Sequence, residues 1–297
     1  MIALFAMFLW GSAIPMIKTT YKVLKISTKD PGAMVFVAGL RFFTAGFFVI
    51  LYKFIFEEKT DRKKDFSLGF YVFTALLQIT VQYIFYYNGL ALISGVHSSI
   101  IQSTNFLMVL IFAHMLTKED KFNLKKLICV FMGILATIMC NIGGKIDGAS
   151  SLRGEIYVIT STALNALGTV VMRKWAKDEN IYNISIFQFL FGGGILIILG
   201  LFTAKNPVPI NFKGLFLILY GAFISSTAFV IWYMLLSYQK AGKVGVYKLF
   251  IPIFGSLLCV LVLGDKFNIF LIAALLLTSF ATIFLNSNLM EEMIENK

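Results

Sequence analysis

Polar residues interrupt this chain at intervals that leave ten long apolar runs: Met1–Ile17, Ala33–Tyr52, Leu68–Tyr87, Ser94–Leu116, Leu124–Asn141, Gly154–Met172, Ile184–Phe202, Gly214–Leu236, Val244–Leu263 and Ile269–Leu285. Each approaches the roughly 20 residues that a helix needs to cross a bilayer. None alternates apolar and polar positions as a membrane strand does, so the runs predict helices. The connections are short and polar, the longest being Lys18–Gly32 and Lys53–Ser67. Neither has the length of a soluble domain. Asn286–Lys297, with Glu291, Glu292 and Glu295, reads as a brief acidic end. The first run starts at Met1 without a basic lead and passes through Trp10–Pro15 without a small-residue cleavage pattern, so no cleaved signal peptide is expected.

The runs repeat. Asp120-Lys121-Phe122-Asn123 recurs 145 residues later as Asp265-Lys266-Phe267-Asn268. In nearly the same register Ser94-Gly95 matches Ala241-Gly242, Gly69 matches Gly214, and Gly46 matches Gly193. This divides the chain into residues 1–147 and 148–297, with five spans in each half. An odd number of spans makes the second half point the opposite way through the membrane. The expected fold is therefore all-α and integral to the membrane, with ten helices in two inverted five-helix repeats. That plan allows two equivalent conformations, one open to each side.

Composition agrees: 59% of the residues are hydrophobic and 14% charged, against about 45–50% and 25% in soluble domains. The net charge of +11 comes from loops between apolar runs. It reads as charge-biased topology and not as a nucleic-acid surface, since no basic face with interleaved aromatics is present. With the N-terminus inside, the cytoplasmic segments hold 15 Lys and Arg and the opposite segments 9. The bias puts both termini in the cytoplasm of a multi-pass protein of the cell (plasma) membrane. Cys129, Cys140 and Cys259 all lie in apolar runs. The first two are roughly 16 Å apart along a helix, beyond disulfide reach. All three read as small core residues, and no metal site or cofactor is expected.

Several short motifs recur in order. The first half carries Trp10-Gly11-Ser12, Leu40-Arg41-Phe42, Tyr86-Tyr87-Asn88-Gly89-Leu90-Ala91 and Glu119-Asp120. The second carries Arg153-Gly154-Glu155, Arg173-Lys174, Pro252 and Gly264-Asp265. Through these the chain resembles, over nearly its whole length, the ten-helix EamA-like group of the drug/metabolite transporter superfamily. The resemblance implies transport of small metabolites, often outward, without naming the cargo. Two positions depart from the family pattern. Asn105 stands where a proline of the fourth span is usual, and Asn165 where a tryptophan of the sixth span is common. Both bring polar groups toward the expected central cavity.

Ionisable residues inside spans are costly, and few occur: Arg41, His97, His114 and Lys248. No Asp or Glu lies in the middle of a span; Glu155 stands at the mouth of the sixth. Lys248 shares a helical face with Gly245, Pro252, Gly255 and Cys259. Two roles are open to it: meeting a substrate carboxylate or phosphate, or snorkelling to the cytoplasmic interface. Arg41 reads as a structural intramembrane charge. Ser94, His97, Ser98, Gln102 and Asn105 form a polar arc on the fourth span that faces the bundle. Tyr87 and Trp232, related by the repeat, suit either an aromatic gate or an interfacial belt. The expected substrate-binding set is Trp10, Tyr83, His97, Asn105, Asn165, Trp232 and Lys248.

The sequence has no HExxH, no GxSxG and no phosphate-binding GxxxxGK[ST]. An enzyme and direct ATP drive are thereby disfavoured, and no catalytic residues are expected. The reading is a secondary transporter, an exporter of amino acids or related carboxylate-bearing solutes by alternating access. A lipid flippase is the alternative. The expected partners are a small-molecule substrate and the lipid bilayer, with no nucleic acid; monomer and homodimer both remain open.

Overall fold

The computed structural model of the chain describes residues 2–57, 67–117, 151–176, 179–239 and 246–265, with isolated positions between 124 and 139, 241 and 244, and 269 and 284. Among the described residues there is no strand. The helices are α1 (Ile2–Val23), α2 (Pro31–Phe56), α3 (Leu68–Leu92), α4 (Gly95–Thr117), α5 (Leu152–Trp175), α6 (Ile181–Thr203) and α7 (Phe212–Tyr238), followed by the shorter α8 (Phe250–Leu263) and α9 (Ile272–Ala281). The first seven are long and apolar enough to cross a membrane. The elements α1–α4 correspond to predicted spans one to four, α5–α8 to spans six to nine, and α9 to the tenth. The fifth predicted span, Leu124–Asn141, lies mostly outside the described residues.

Helices α2, α5, α6 and α7 overrun at both ends the apolar runs that predict them, because hydrophobicity marks the lipid while caps mark the helix end. Asp30 caps α2, accepting from Ala33 N at 3.1 Å ahead of Pro31. Asn180 caps α6, and Asn211 caps α7 through Gly214 N at 2.8 Å. These caps satisfy first-turn amides that have no partner within the helix. Phe54, Phe202 and Phe212 stand more than four-fifths exposed on the outer faces, where hydrocarbon is the solvent.

Inside the bundle α1 packs on α7 and α8, α5 packs on α3 and α4, and α2 packs on α6 and α7. The α2–α6 contact is built on glycine. A Cβ on Gly200 would sit 2.5 Å from the Phe36 backbone, and one on Gly39 2.5 Å from Ile197 N. Gly193 meets Phe43 N at the same distance, and Gly32 abuts Thr203 and Ala204. Lipid tails give no hydrophobic drive between helices, so such close backbone approach holds the pair through dispersion. Each partner face also carries a π-type turn, Leu76–Val81 in α3 and Gln188–Gly192 in α6. The two touch, with Thr80 Oγ1 donating to the Gly192 carbonyl at 3.3 Å.

One helix is broken near mid-length, and another is entered through a 3-10 turn. In α4 the turn at Thr104 separates Gly95–Ser103 from Asn105–Thr117. Ahead of α8 a single 3-10 turn, Val246–Leu249, precedes Phe250. At the far end of α8, Gly264 takes φ 73, the left-handed conformation that favours glycine. The chain then turns so that Asp265 Oδ2 accepts from Gly95 N at 2.9 Å and Val96 N at 3.2 Å, capping α4 from another helix.

Gly200→Leu forces side-chain atoms into the α2 backbone and should lower stability by about 1–3 kcal/mol. Gly194→Ala, whose Cβ would meet only ring atoms of Phe43 at 4.0 Å, should leave the unfolding midpoint unchanged or raised. Thermal unfolding in detergent with size-exclusion profiles checks both. Equal behaviour of the two variants contradicts the packing argument.

Candidate functional site

The two helix breaks meet at Lys248, which lies in the 3-10 turn and is 5% exposed. Its ammonium donates to Asn165 Oδ1 at 2.8 Å, Asn105 Oδ1 at 2.9 Å and Thr169 Oγ1 at 3.2 Å. The ring centroids of Trp232 and Trp10 lie 4.5 and 5.7 Å from the same nitrogen. Asn105 Nδ2 donates to the Thr162 carbonyl at 2.9 Å and to Asn165 Oδ1 at 3.1 Å. Asn165 Nδ2 reaches Gln82 Oε1 at 3.4 Å. Three neutral oxygens and two π faces thus solvate the charge without cancelling it.

Backbone geometry explains why these side chains converge. Asn105 opens the second segment of α4, and so projects from the break. Asn165, Thr162 and Thr169 stand one turn apart on α5 and share a face. Trp10 and Trp232 come from α1 and α7, with ring centroids 5.5 Å apart.

Beside Lys248 lies a small cavity, with about 60 Å³ open to the centre of a water molecule. Trp10, Ala13, Arg41, Gln82, Tyr83, Tyr86, Gln102, Asn105, Ser161, Thr162, Asn165, Lys248 and Ile251 line it. Its lining mixes aromatic walls with convergent polar groups, as small-molecule sites do. Among the described residues that line it, two are cationic and none is Asp or Glu.

Arg41 is the second cation. Its Nε donates to Ser225 Oγ at 2.9 Å and the Gly221 carbonyl at 3.0 Å, and its Nη1 to Tyr87 Oη at 3.2 Å. Gly221 makes the space, since a Cβ there would press on Arg41 Cδ at 3.1 Å. These bonds tie α2 to α3 and α7, as a structural charge would, yet the side chain also lines the cavity. Tyr87 is 1% exposed and holds Arg41.

Of the expected site residues, the structure brings Trp10, Tyr83, Asn105, Asn165 and Lys248 to the cavity wall, and puts Trp232 against the ammonium. Lys248 does not snorkel. His97 is absent from the lining; it is 1% exposed, with Nε2 3.7 Å from Glu155 Oε1. The periodicity that put His97 on one arc with Asn105 assumed a continuous helix, and the turn at Thr104 breaks that register. The sequence reading passed over Gln82, Tyr86, Thr162 and Thr169 as parts of the site. The signal for the two threonines was their one-turn spacing from Asn165.

The sequence profile of the EamA-like transporter family matches the chain twice, at residues 1–142 and 152–287. The uncharacterized transporter YetK of Bacillus subtilis (strain 168) is 25% identical over 240 residues, covering 78% of this chain and 72% of its own. A second B. subtilis relative, the uncharacterized transporter YvbV, is 25% identical over 280 residues, or 92% and 86% of the two chains. A solved crystal structure superposes with a TM-score of 0.73 over 99% of this chain and 97% of its own. At 13% identity that likeness is one of fold.

Asn165→Leu removes the closest acceptor of a buried ammonium, and should cost about 2–3 kcal/mol because the charge stays behind. Thr169→Val, losing the longest of the three bonds, should cost about 1 kcal/mol or less. Adding Lys248→Met to Asn165→Leu should recover at least half of the loss. Unfolding midpoints of the purified variants measure all three; strict additivity in the double variant contradicts a shared network.

Proposed function

As the chain belongs to the EamA-like transporter family, we propose that it carries small carboxylate-bearing solutes, amino acids or related organic acids, by alternating access. Family membership and the transporter relatives point to transport and not to catalysis. The observation behind the substrate class is the cavity's charge: Lys248 and Arg41 line one space with no acidic side chain among its described walls. An unneutralised cation in a low-dielectric interior costs several kcal/mol, and a bound carboxylate offsets that cost. The aromatic and amide walls then select among small anions by shape. Outward movement is the direction that the family resemblance implies.

The mechanism rests on two inverted halves, residues 1–147 and 148–297. Helix pairings support this. Exchanging α1 with α5, α2 with α6, α3 with α7 and α4 with α8 maps each principal packing pair onto another or onto itself. The two separate matches to the family profile support it too. The breaks in α4 and before α8 fall at equivalent places in the repeat. Discontinuous helices at mid-membrane are where transporters commonly build a substrate site and a hinge. Lys248 bridges these breaks through Asn105. A carboxylate that takes the ammonium from Asn105 and Asn165 would loosen α4 from α5 and permit the rocking of one half on the other. The proposed setting is the plasma membrane with both termini cytoplasmic, which the 15-to-9 distribution of Lys and Arg supports.

Proteoliposome uptake of radiolabelled amino acids, dicarboxylates, phosphate esters and a quaternary ammonium checks the reading. At least one carboxylate-bearing solute should be carried. Lys248→Met should lower its rate about tenfold or more, a loss of roughly 1.4 kcal/mol or more of binding, with the yield of folded protein unchanged. Lys248→Arg should restore only part, because the planar fork differs in reach and shape. Tight binding of the quaternary ammonium would overturn the charge argument. Lipid translocation without solute uptake would point to a flippase.

A further inference from the structure

A second pair of titratable groups lies outside the cavity. His97, near the start of α4, and Glu155, in the first turn of α5, are 1% and 2% exposed. His97 Nε2 stands 3.7 Å from Glu155 Oε1 and makes no hydrogen bond among the described residues. A buried imidazole nitrogen left so close to a carboxylate is short of a proton-mediated bond by less than an ångström of motion. Neither residue is needed to line the substrate space.

We propose that His97 and Glu155 bind a single proton between them and couple its movement to transport, a role that rests on the transporter reading above. In the balance of charge, a neutral imidazole beside a carboxylate carries −1, and one added proton brings the pair to zero, on whichever atom it rests. Such a change of charge is large in a low-dielectric interior, so the pair's geometry and its proton are strongly linked.

The link to the cavity is mechanical. The pair spans α4 to α5, and so do Asn105 and Asn165, which clamp Lys248. His97 precedes Asn105 by eight residues and Glu155 precedes Asn165 by ten, roughly 12 and 15 Å along their helices. A substrate that releases the clamp changes the spacing of α4 and α5, and with it the spacing of His97 and Glu155. Proton occupancy then differs between the two conformations, which is what coupling requires.

Among the described residues, the other ionisable groups near this end make contacts of their own. Asp265, beyond α8, accepts from Gly95 N and Val96 N. Lys18 of α1 donates to the Ile93 carbonyl at 2.6 Å. Arg153 donates to Tyr157 Oη along α5 at 3.0 Å, and Tyr86 of α3 meets Gln102. Cys259 of α8 lies against Gly95. Glu155 is the carboxylate that approaches the imidazole, at 3.7 Å.

The chain has only two histidines, His97 and His114, so imidazole NMR of ¹⁵N-histidine-labelled protein resolves the site without any substrate. The His114→Gln variant assigns the signals. Between about pH 4 and 9 the His97 signal should titrate, and its midpoint should differ by about one unit or more in Glu155→Gln, as expected for a charge within about 4–6 Å. Lys248→Met should leave that difference in place. A His97 signal that does not change with pH, or one indifferent to Glu155→Gln, overturns the proton site whatever the protein carries. The second readout uses pyranine-loaded proteoliposomes with L-glutamate, L-threonine and succinate as the solute mixture. Wild type should shift the internal pH on addition of the mixture. His97→Gln and Glu155→Gln should abolish that shift, yet keep exchange of labelled for unlabelled solute within about threefold. A pH shift that survives in both variants overturns the coupling. If wild type moves none of the three solutes, the substrate reading fails, and the NMR result alone decides the proton site.

Discussion

An ammonium held in the middle of a membrane protein by neutral oxygens is the constraint that organises this molecule. Lys248 finds two asparagine carbonyls, a threonine hydroxyl and two indole faces. Those groups supply hydrogen bonds and polarisable surface, so the lysine is tolerated. They bring no negative charge, so the site keeps its positive potential. Arg41 adds to it as a second cation in the same lining, held by α7 and Tyr87. In water two such charges would be screened within about 10 Å. Here protein surrounds them, and that screening is much reduced.

The rest of the fold makes that arrangement affordable in backbone terms. A broken helix at mid-membrane exposes amides and carbonyls that lipid cannot satisfy, so such a break survives only inside protein. The glycine-lined contact of α2 with α6 draws helices together away from the breaks. The caps supplied by Asp30, Ser94, Asn180, Asn211 and Asp265 close the helix starts. Asp265 links the two halves of the repeat directly. It belongs to the tetrapeptide that recurs at Asp120, and it caps the helix whose Ser94-Gly95 opening recurs at Ala241-Gly242.

Asn105 and Asn165 acquire a shared meaning at this site. Each departs from what the family resemblance implies at its position, and each accepts from Lys248. Without a proline in α4, the break is kept by a turn at Thr104, whose hydroxyl donates to the Ile101 carbonyl at 2.7 Å. The amide side chain therefore replaces a rigid kink with a polar one that can exchange partners. That is the chemistry a site needs if a substrate is to displace an internal ligand.

Much of this was legible in the residues themselves. Apolar runs of about 20 residues fix where helices cross, because a polar backbone in hydrocarbon has so few solutions. The scarcity of ionisable groups within spans singled out Lys248, Arg41 and His97 before any coordinates. The paired glycines Gly46 and Gly193 read as repeat mates, and the structure sets each against a residue of the other's helix, Leu190 and Phe43. Other features were decided only in three dimensions. Whether Lys248 snorkels or turns inward depends on acceptors 83 and 143 residues away in the chain. The break at Thr104 carries no proline or glycine to announce it, and it moves His97 off the face it would share with Asn105. Glu155 reads from sequence as a helix-mouth carboxylate, yet packing buries it against His97. Local patterns set which segments are helices because that choice depends on solvent and hydrogen bonding along one stretch of chain. The partner of a buried charge is set by how distant helices cross, and no single segment contains that information.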